Sequence, residues 1–238
     1  MIKNSTTRVW GILPAAGSGS RMACDIPKQY LTVAGKTVAE HTLGQMLGVS
    51  SIDGVMVALS PADAWWSTLP SALRDMVMVT EGGASRAQSV FNALAALRDN
   101  AADNDWALVH DMARPCLTTE NIEAMIAALA DDPIGGVLAT PVVDTLKRAD
   151  QHGRVSETVS RDNLWRAQTP QMFRFRALYE ALETGMAANR EITDEASAIE
   201  QMGQRPRLIA GPADNIKITL PDDLLQAERI LSIDTGAP

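Results

Sequence analysis

The fold of this chain is decided by one stretch of sequence, Leu13-Pro14-Ala15-Ala16-Gly17-Ser18-Gly19-Ser20-Arg21-Met22, which Pro27-Lys28-Gln29 closes. The apolar run of residues 9–13 leads directly into it, which predicts a strand that ends in a loop of small residues. Two glycines among alanines and serines allow the backbone N–H groups to approach a phosphate closely. Arg21 and Lys28 add two positive charges. Such a loop after the first strand of an α/β chain is typical of a nucleoside triphosphate site.

The overall composition limits the classes of protein to which the chain can belong. The chain has 238 residues, 46% of them hydrophobic, which is enough for a sizeable core. Its net charge of −8 argues against sequence-independent binding to nucleic acids, because such binding needs a basic face. A small anionic substrate is compatible with that charge, since a local cluster of cations can override the global balance.

Cysteine content and hydropathy predict a soluble, cytoplasmic protein. Cys24 and Cys116 are too few for a disulfide framework and are expected to be reduced. Residues 1–8 are polar without a signal-peptide core, and no apolar run approaches the ~20 residues of a membrane span. We therefore expect neither a nucleic-acid partner nor a membrane partner.

Short apolar runs alternate along the chain with amphipathic segments, and this rhythm predicts the fold class. Several runs are apolar throughout, as expected for parallel strands buried on both faces. Helix starts are marked by capping boxes at Thr37 and Ser85, by Thr119, by Thr193-Asp194 and by Pro221. The prediction is an α/β protein with a mostly parallel sheet and helices on both faces. The candidate strands are residues 9–13, 54–59, 76–79, 107–110, 136–139, 207–209 and 216–218.

Residues 140–168 break this rhythm, because they contain many charges and no clear helix. His152-Gly153 is typical of a hairpin turn. We interpret the segment as an extended β-arm that leaves the main domain; a mobile surface loop is the alternative. A polar arm that cannot bury itself suggests a partner, most simply a second copy of the chain. Since no repeat or linker interrupts the sequence, we expect residues 1–238 to form a single domain that carries this arm.

Two common nucleotide-binding patterns do not fit the opening loop. A dinucleotide-binding fingerprint needs a third Gly or Ala at its sixth position, where this chain has Met22. Gly35-Lys36-Thr37 resembles the end of a P-loop, but Tyr30 occupies a position that requires glycine. A Rossmann dehydrogenase is thereby disfavoured, and we interpret Gly35-Lys36 as a turn before a helix.

Two further polar clusters are candidate ligand contacts. Gly82-Gly83, followed by Ser85 and Ser89, forms a donor-rich surface after the third strand, although this pattern more often marks a plain capped helix start. Asp111 and Arg114 follow a buried strand, at the carboxyl edge where open α/β sheets hold ligands. An Asp there can bind a metal or a sugar hydroxyl, and a structural ion pair is the alternative.

One lysine and three histidines bear on the kind of chemistry available. Lys217 lies between two isoleucines, where its burial is costly unless it meets an anion; an edge strand that faces solvent is the alternative. His41, His110 and His152 do not form a metal-ligand spacing, and the sequence has no Ser-His-Asp, Cys-His or zinc pattern. With no obvious general base, chemistry that needs none is favoured.

Taken together, the motifs resemble those of the 2-C-methyl-D-erythritol 4-phosphate cytidylyltransferases, the CTP-using enzymes of the non-mevalonate isoprenoid pathway. The resemblance extends from about Arg8 to about Arg229. The motifs that carry it are Pro14-Ala15-Ala16-Gly17-x-Gly19-x-Arg21-Met22, Pro27-Lys28-Gln29-Tyr30, Gly82-Gly83-x-x-Arg86-x-x-Ser89-Val90, His110-Asp111-x-Ala113-Arg114-Pro115, Asp144-Thr145-x-Lys147, Thr169-Pro170-Gln171, Thr193-Asp194-Glu195 and Asp214-Asn215-Ile216-Lys217. Ala84 and Met112 depart from the pattern, since an acidic residue and a small residue are usual at those positions.

The resemblance implies a Rossmann-like fold, a single nucleotidyltransferase domain, and a homodimer in which the arm completes the neighbouring active site. It implies Mg²⁺ as the cofactor, bound mainly through the CTP phosphates, and assigns no metal ligand in the chain. The implied catalytic residues are Arg21, Lys28, Lys217 and, from the partner subunit, Arg161. The implied CTP contacts are Pro14, Ala15, Ala16, Gly17, Gly19, Gly82, Gly83 and Ser89. The implied acceptor contacts are Asp111, Arg114, Thr145 and Thr193.

The expected reaction is transfer of CMP from CTP to 2-C-methyl-D-erythritol 4-phosphate, with release of pyrophosphate. The attacking group is a phosphate monoester, which is already an anion near neutral pH and needs no general base. A cytidylyltransferase for another polyol phosphate, such as ribitol 5-phosphate, is one alternative. A non-catalytic nucleotide-binding regulator is another, but simple binding would not require Arg21, Lys28 and Lys217 around one phosphorus.

Overall fold

The computed structural model describes residues 7–17 and 26–234. In chain order its strands are β1 (Val9–Ala15), β2 (Thr32–Val33), β3 (Lys36–Thr37), β4 (Gly54–Leu59), β5 (Met78–Glu81), β6 (Trp106–Val109), β7 (Gly135–Pro141), β8 (Leu146–Ala149), β9 (Val155–Val159), β10 (Trp165–Arg174) and β11 (Arg207–Ala210). Its helices are α1 (Val38–Gly48), α2 (Ser71–Arg74), α3 (Arg86–Leu97), α4 (Thr119–Leu129), α5 (Phe175–Ala187), α6 (Glu195–Gln201) and α7 (Pro221–Asp234). None of the helices in these described ranges is long and apolar enough to cross a membrane.

A seven-stranded sheet runs through the molecule in the order β11-β7-β10-β6-β1-β4-β5. Strand β1 pairs in parallel with both β4 and β6, while β5 continues the sheet beside β4 and β11 beside β7, again in parallel. Within this sheet β10 alone runs antiparallel, between β6 and β7. The prediction of a mostly parallel α/β sheet is confirmed.

Both faces of the sheet are covered by helices, because the side chains of β1 alternate between two apolar cores. Leu13 belongs to a cluster that includes Leu43 of α1 and Met125 of α4. Its neighbour Ile12 points the other way, into a cluster with Leu94 of α3 and Leu178 of α5. Each fully buried aliphatic side chain of this kind stabilises the fold by about 1.5–3 kcal/mol. A third, smaller cluster joins β2 to α7.

Most of the helix starts confirm the sequence prediction. Thr37 caps α1 in a complete capping box with Glu40. The Ser85 side chain accepts from a backbone N–H in the first turn of α3, and α7 begins at Pro221. Two caps differ by one residue from the prediction, since Thr118 caps α4 and Asp194 caps α6. In each case the capping side chain accepts from the N–H three residues later, which fixes the register.

Three strand predictions need correction. Residues 216–218 form no strand, because Ile218 makes a single backbone hydrogen bond to the carbonyl of Ala113 and no ladder follows. The strand predicted at residues 76–79 begins instead at Met78, since Met76 and Val77 still bond back to the α2 turn. Strand β10 was not predicted at all, although it is the longest strand of the sheet. The remaining predicted strands are confirmed to within two residues at each end.

The predicted arm exists as an antiparallel hairpin of β8 and β9. Gly153 adopts a positive φ of 74° in its turn, and the Asp150 side chain accepts from the N–H groups of His152 and Arg154. The hairpin is narrower than the predicted range of 140–168, because the two ends of that range belong to β7 and β10. Nearly all residues of β8 and β9 are exposed.

Candidate active site

The carboxyl ends of three parallel strands surround a cavity of about 360 Å³. The loop after β1 forms one side, the turn between β5 and α3 forms another, and the segment after β6 forms the floor. A parallel sheet brings these loops to one edge, which is where open α/β folds bind ligands. The lining residues are Pro14, Ala15, Ala16, Gly17, Lys28, Gln29, Gly83, Ala84, Ser85, Arg86, Ser89, Asp111, Met112, Ala113, Lys217 and Thr219.

The last residue of β1 is held by the segment Lys28–Tyr30. The buried side chain of Gln29 donates from its Nε2 atom to the carbonyl oxygen of Ala15 over 2.9 Å. The Nζ atom of Lys28 donates to the carbonyl oxygen of Ile218 over 2.7 Å. The end of β1 and the ammonium group of Lys28 are thereby both fixed at the cavity.

Glycine is required where the second loop passes the first. A Cβ atom on Gly82 would lie 2.4 Å from the Cβ of Ala16, and one on Gly83 would lie 2.0 Å from the Cγ of Gln88. The Ser89 hydroxyl donates to the carbonyl of Ser85 over 2.9 Å and accepts from the N–H of Gly83 over 3.0 Å. Its single proton is used in the first bond, so Ser89 has only acceptor capacity left for a ligand in the cavity.

Asp111 is the centre of a cluster of cations on the floor of the cavity. Its Oδ1 atom accepts from Arg86 Nε at 2.8 Å, and its Oδ2 atom accepts from Lys217 Nζ at 2.7 Å. The Nε atom of Arg114 lies 3.6 Å from Oδ2. Burial by itself raises the pKa of Asp111, but the positive charges of Arg86 and Lys217 outweigh burial and hold that pKa well below its usual range.

Arg86 connects this cluster to a second carboxylate, Glu195, at the start of α6. The Nη1 and Nη2 atoms of Arg86 donate to the two oxygens of Glu195 over 2.6 and 3.0 Å. Burial by itself lowers the pKa of Arg86, but the negative charges of Glu195 and Asp111 outweigh burial and raise it. Three cations and two carboxylates therefore leave one net positive charge in a chain whose total is −8.

His110 precedes Asp111 but does not face the cavity with a basic nitrogen. Its Nε2 atom lies 3.1 Å from the carbonyl oxygen of Arg114, which can only accept, so Nε2 carries the proton. Its Nδ1 atom accepts from the Thr169 hydroxyl at 3.0 Å, and that oxygen accepts in turn from the N–H of Asp111. Burial lowers the pKa of His110 to about 4, so the ring is neutral near pH 7.

Lys217 reaches the cavity from an irregular loop that several hydrogen bonds fasten. Arg114 donates from Nη1 to the carbonyl of Asn215 over 2.7 Å, and the Asn215 Nδ2 atom donates to the carbonyl of Thr169 over 2.8 Å. Of the two predictions for Lys217, contact with an anion is confirmed and an edge strand that faces solvent is wrong.

Comparison with known proteins agrees with this geometry. The family model for 2-C-methyl-D-erythritol 4-phosphate cytidylyltransferase (IspD) matches residues 9–233. The chain belongs to this family. It is therefore a cytidylyltransferase, one of the nucleotidyltransferases. A Pseudomonas fluorescens SBW25 relative named 2-C-methyl-D-erythritol 4-phosphate cytidylyltransferase is 52% identical over 216 residues, which cover 90% of this chain and 92% of the relative. One from Pseudomonas syringae pv. syringae B728a is 50% identical, and the match covers 94% and 95% of the two chains.

Solved structures of the family have the same fold. A crystal structure of 4-diphosphocytidyl-2C-methyl-D-erythritol synthase is 40% identical with a TM-score of 0.84, and the match covers 95% of this chain and 99% of that one. The Francisella tularensis 2-C-methyl-D-erythritol 4-phosphate cytidylyltransferase (IspD) is 35% identical with a TM-score of 0.81, covering 94% and 100%. The Rossmann-like fold that the resemblance implied is confirmed.

The cavity of this cytidylyltransferase contains many, though not all, of the predicted site residues. Gly82 and Arg114 are not among the lining residues, but Gly82 lies against Ala16 and Arg114 lies 3.6 Å from Asp111. Thr145 and Arg161 are exposed at the base of the arm and do not line the cavity, nor does the exposed Thr193. Gly19 and Arg21 lie outside the described residues. The predicted residues that line the cavity are Pro14, Ala15, Ala16, Gly17, Lys28, Gly83, Ser89, Asp111 and Lys217.

Two charged residues of this site had no role in the sequence prediction, Arg86 and Glu195. A signal for Arg86 was present, because a cation in the first turn of α3 is disfavoured by the helix dipole unless it has a specific partner. Glu195 gave no comparable signal, since an acidic residue at the start of a helix is favourable whatever it contacts.

Proposed function

We propose that the protein transfers CMP from CTP to 2-C-methyl-D-erythritol 4-phosphate, giving 4-diphosphocytidyl-2-C-methyl-D-erythritol and pyrophosphate. The observation that carries the proposal is the cavity itself, where a small-residue loop after β1 faces the Arg86, Asp111 and Lys217 cluster. Backbone N–H groups and cations suit the triphosphate, and a carboxylate beside cations suits an acceptor that has both hydroxyls and a phosphate.

In the proposed reaction an oxygen of the acceptor phosphate attacks the α-phosphorus of CTP. A new P–O bond forms there, the bond from the α-phosphorus to the bridging oxygen of the β-phosphate breaks, and pyrophosphate leaves with that electron pair. The attacking oxygen is already anionic, so no proton needs to be removed. This agrees with the neutral, fully engaged ring of His110, which has no basic nitrogen to offer.

The main barrier is the repulsion between two polyanions. Two unit charges 4 Å apart repel by about 4 kcal/mol at an effective dielectric constant near 20. Lys28 and Lys217, which both line the cavity, would offset this repulsion, and Arg21 is proposed to act on the same phosphorus. Pro14, Ala15, Ala16, Gly17 and Gly19 would hold the triphosphate, while Gly82, Gly83 and Ser89 would contact the cytidine.

Mg²⁺ is proposed as the cofactor and would be held mainly by the CTP phosphates. Among the described residues no group of three His, Cys, Asp or Glu side chains is arranged to hold a metal. Asp111, the carboxylate among the described lining residues, already accepts from Arg86 and Lys217. This donor set fits an ion that arrives with the nucleotide, where it supplies charge neutralisation on the phosphates.

Pyrophosphate release with purified protein and Mg²⁺ tests the proposed reaction. CTP, UTP, ATP and GTP would each be paired with methylerythritol phosphate, with ribitol 5-phosphate and with no acceptor. We expect release above background only with CTP and methylerythritol phosphate. Mass spectrometry of that reaction should identify 4-diphosphocytidyl-2-C-methyl-D-erythritol as the nucleotide product. Faster release with ribitol 5-phosphate would assign another acceptor. Nucleotide binding without release under every condition would favour a regulator.

We further propose that the protein is a cytoplasmic homodimer in which Arg161 and Thr145 of the arm reach the partner's cavity beside Asp111, Arg114 and Thr193. Two observations support this proposal. The hairpin of β8 and β9 has too few strands to be stable alone, and apolar side chains lie uncovered around it. Those side chains are Val143, Val155, Leu164 and Trp165, which are 68%, 64%, 37% and 39% exposed. The compartment is proposed from the low cysteine content alone.

A further inference from the structure

Glu195 is a buried carboxylate close to the candidate active site but outside its lining. It is 0% exposed, and both of its oxygens accept from Arg86. Glu195 does not line the cavity, and the proposed reaction assigns it no role. A charged group is costly to bury unless it is paired. The ion pair with Arg86 therefore explains how Glu195 can be buried, but not what Glu195 does at this site.

The geometry of Arg86 shows what this pairing does. A guanidinium can present two parallel N–H groups to one carboxylate, and Asp111 lies within reach of it. Glu195 accepts one N–H from each of Nη1 and Nη2 and so fixes the orientation of the guanidinium, in which Nε donates to Asp111. Arg86 therefore makes one hydrogen bond to Asp111, at Oδ1, rather than two.

The second oxygen of Asp111 is consequently available to Lys217. Its Oδ2 atom accepts from Lys217 Nζ at 2.7 Å, and the same oxygen lies 3.6 Å from Arg114 Nε. Without Glu195, the fork of Arg86 could rotate onto both oxygens of Asp111 and compete with the ammonium group for Oδ2. The orientation of the Lys217 side chain thus depends on a residue that does not touch it.

The backbone at Glu195 is fastened so that this carboxylate cannot follow a shift of Arg86. Gln171, itself buried, donates from Nε2 to Asp194 at 2.9 Å and accepts from the N–H of Ala196 at 2.8 Å. These two bonds tie the first turn of α6 to β10 on either side of Glu195. The position of the Glu195 carboxylate is therefore fixed relative to β10.

We propose that Glu195 is a positioning residue, which holds Arg86 in its single-bond contact with Asp111 and so keeps Lys217 and Asp111 oriented for the phosphate and the hydroxyls of the acceptor. The inference rests on the proposed function, in which the Asp111 cluster suits the acceptor while the loop after β1 holds the CTP triphosphate. It adds a residue that acts through Arg86 alone. Its removal should affect the two substrates unequally.

The test compares Glu195→Gln with wild type in steady-state kinetics with each substrate varied in turn. Glutamine keeps the shape but presents an NH₂ group to Arg86, which breaks the two-pronged contact. We expect kcat/KM for the acceptor to fall about 100-fold, as for a misplacement of about 1 Å, with the KM for CTP within about twofold of wild type. Asp103→Asn is the matched control, because Asp103 pairs with Arg176 in an exposed ion pair away from the cavity.

A double-mutant cycle tests whether Glu195 acts through Arg86. We expect Glu195→Gln to have no further effect on the acceptor in an Arg86→Gln background. If Glu195→Gln does not fold, Glu195→Asp replaces it, since aspartate keeps the charge but cannot reach both nitrogens, and the same pattern is expected. Equal losses for CTP and acceptor, or an undiminished effect in the Arg86→Gln background, would overturn the inference. A wild-type protein that releases no pyrophosphate would instead overturn the proposed function.

Discussion

His110 illustrates at the scale of one residue how burial and hydrogen bonding fix a protonation state. The ring donates to the carbonyl of Arg114 and accepts from Thr169, and the second of these bonds requires an unprotonated Nδ1. Protonation of Nδ1 would place a second donor opposite a hydroxyl that accepts from the N–H of Asp111. The ring is therefore suited to holding the turn between Asp111 and Arg114, and not to exchanging protons.

This arrangement predicts that acidification destabilises the protein. Burial lowers the pKa of His110 from its ordinary value of 6.5 to about 4 in the folded state. Between these two values the unfolded chain binds the proton and the folded protein does not, so stability falls as the pH falls. We expect a loss of about 3 kcal/mol in the free energy of unfolding from pH 7 to pH 4, measured by urea denaturation. His110→Gln should remove most of this slope, while the exposed His152→Asn should retain it. An unchanged slope in His110→Gln would contradict the assignment.

The individual contacts of the site could be predicted only in part. Asp111 stood out in the sequence because it follows a buried strand, and Lys217 because it lies between two isoleucines; the structure brings them within 2.7 Å of one another. Arg86, the other close partner of Asp111, and its anchor Glu195 were missed, because an ion pair across 109 residues leaves no local pattern. Local rules identify residues that need a partner, whereas the identity of the partner depends on the tertiary fold.

At the scale of elements, glycine is dispensable in α1 but required in the turn after β5. Gly44 lies exposed in the interior of α1, and an added Cβ would meet nothing within 4 Å. Gly82 lies where the β5–α3 turn passes the β1 loop, and an added Cβ would meet Ala16 at 2.4 Å and the Leu59 carbonyl at 3.2 Å. One glycine is dispensable, and the other sets the distance between two walls of the cavity.

A pair of alanine substitutions tests this contrast. Gly44→Ala should stabilise the protein by about 0.5–1 kcal/mol, because alanine loses less conformational freedom in a helix, and the kinetics should stay unchanged. Gly82→Ala should push the two loops apart and raise the KM for CTP about 10-fold or more. Thermal unfolding and CTP-dependent pyrophosphate release measure the two effects. A Gly82→Ala variant with the KM of wild type would show that the close approach of the loops is unimportant for the nucleotide.

Strand β10 shows why one element escaped prediction while its neighbours did not. The parallel strands are continuous apolar runs, but β10 contains Gln168, Thr169, Pro170 and Gln171, a composition typical of a loop. These polar side chains are buried because they bond to the Pro212 carbonyl, to His110 and to Asp194. A register shift between Ala167 and Gln171 accommodates the proline. The partners lie in three different loops, so the sequence around β10 could not reveal them.

At the scale of the whole molecule, charge and exposure distinguish two regions, the cavity and the arm. The cavity has a net positive cluster although the chain is acidic overall, which favours anionic substrates at that edge of the sheet. The arm has exposed apolar residues at its base, including Val143 and Trp165, and its Arg161 donates to the carbonyl of Val143 in the same chain. The two regions contain different members of one predicted site, which is the reason to expect that two chains combine to complete it.

Co-expression of two inactive variants tests this expectation most directly. Lys217→Ala should lose turnover about 10²- to 10³-fold, as other electrostatic stabilisers do, while the fold survives because this side chain is 36% exposed. Arg161→Ala should weaken use of the acceptor far more than use of CTP.

In a mixed dimer, the cavity of the Arg161→Ala chain keeps its Lys217 and receives an intact Arg161 from its partner. Random pairing makes half of the dimers mixed with one intact site each, so about a quarter of the wild-type activity should return. Co-expressed chains no more active than the two variants assayed separately would mean that each chain completes its own site.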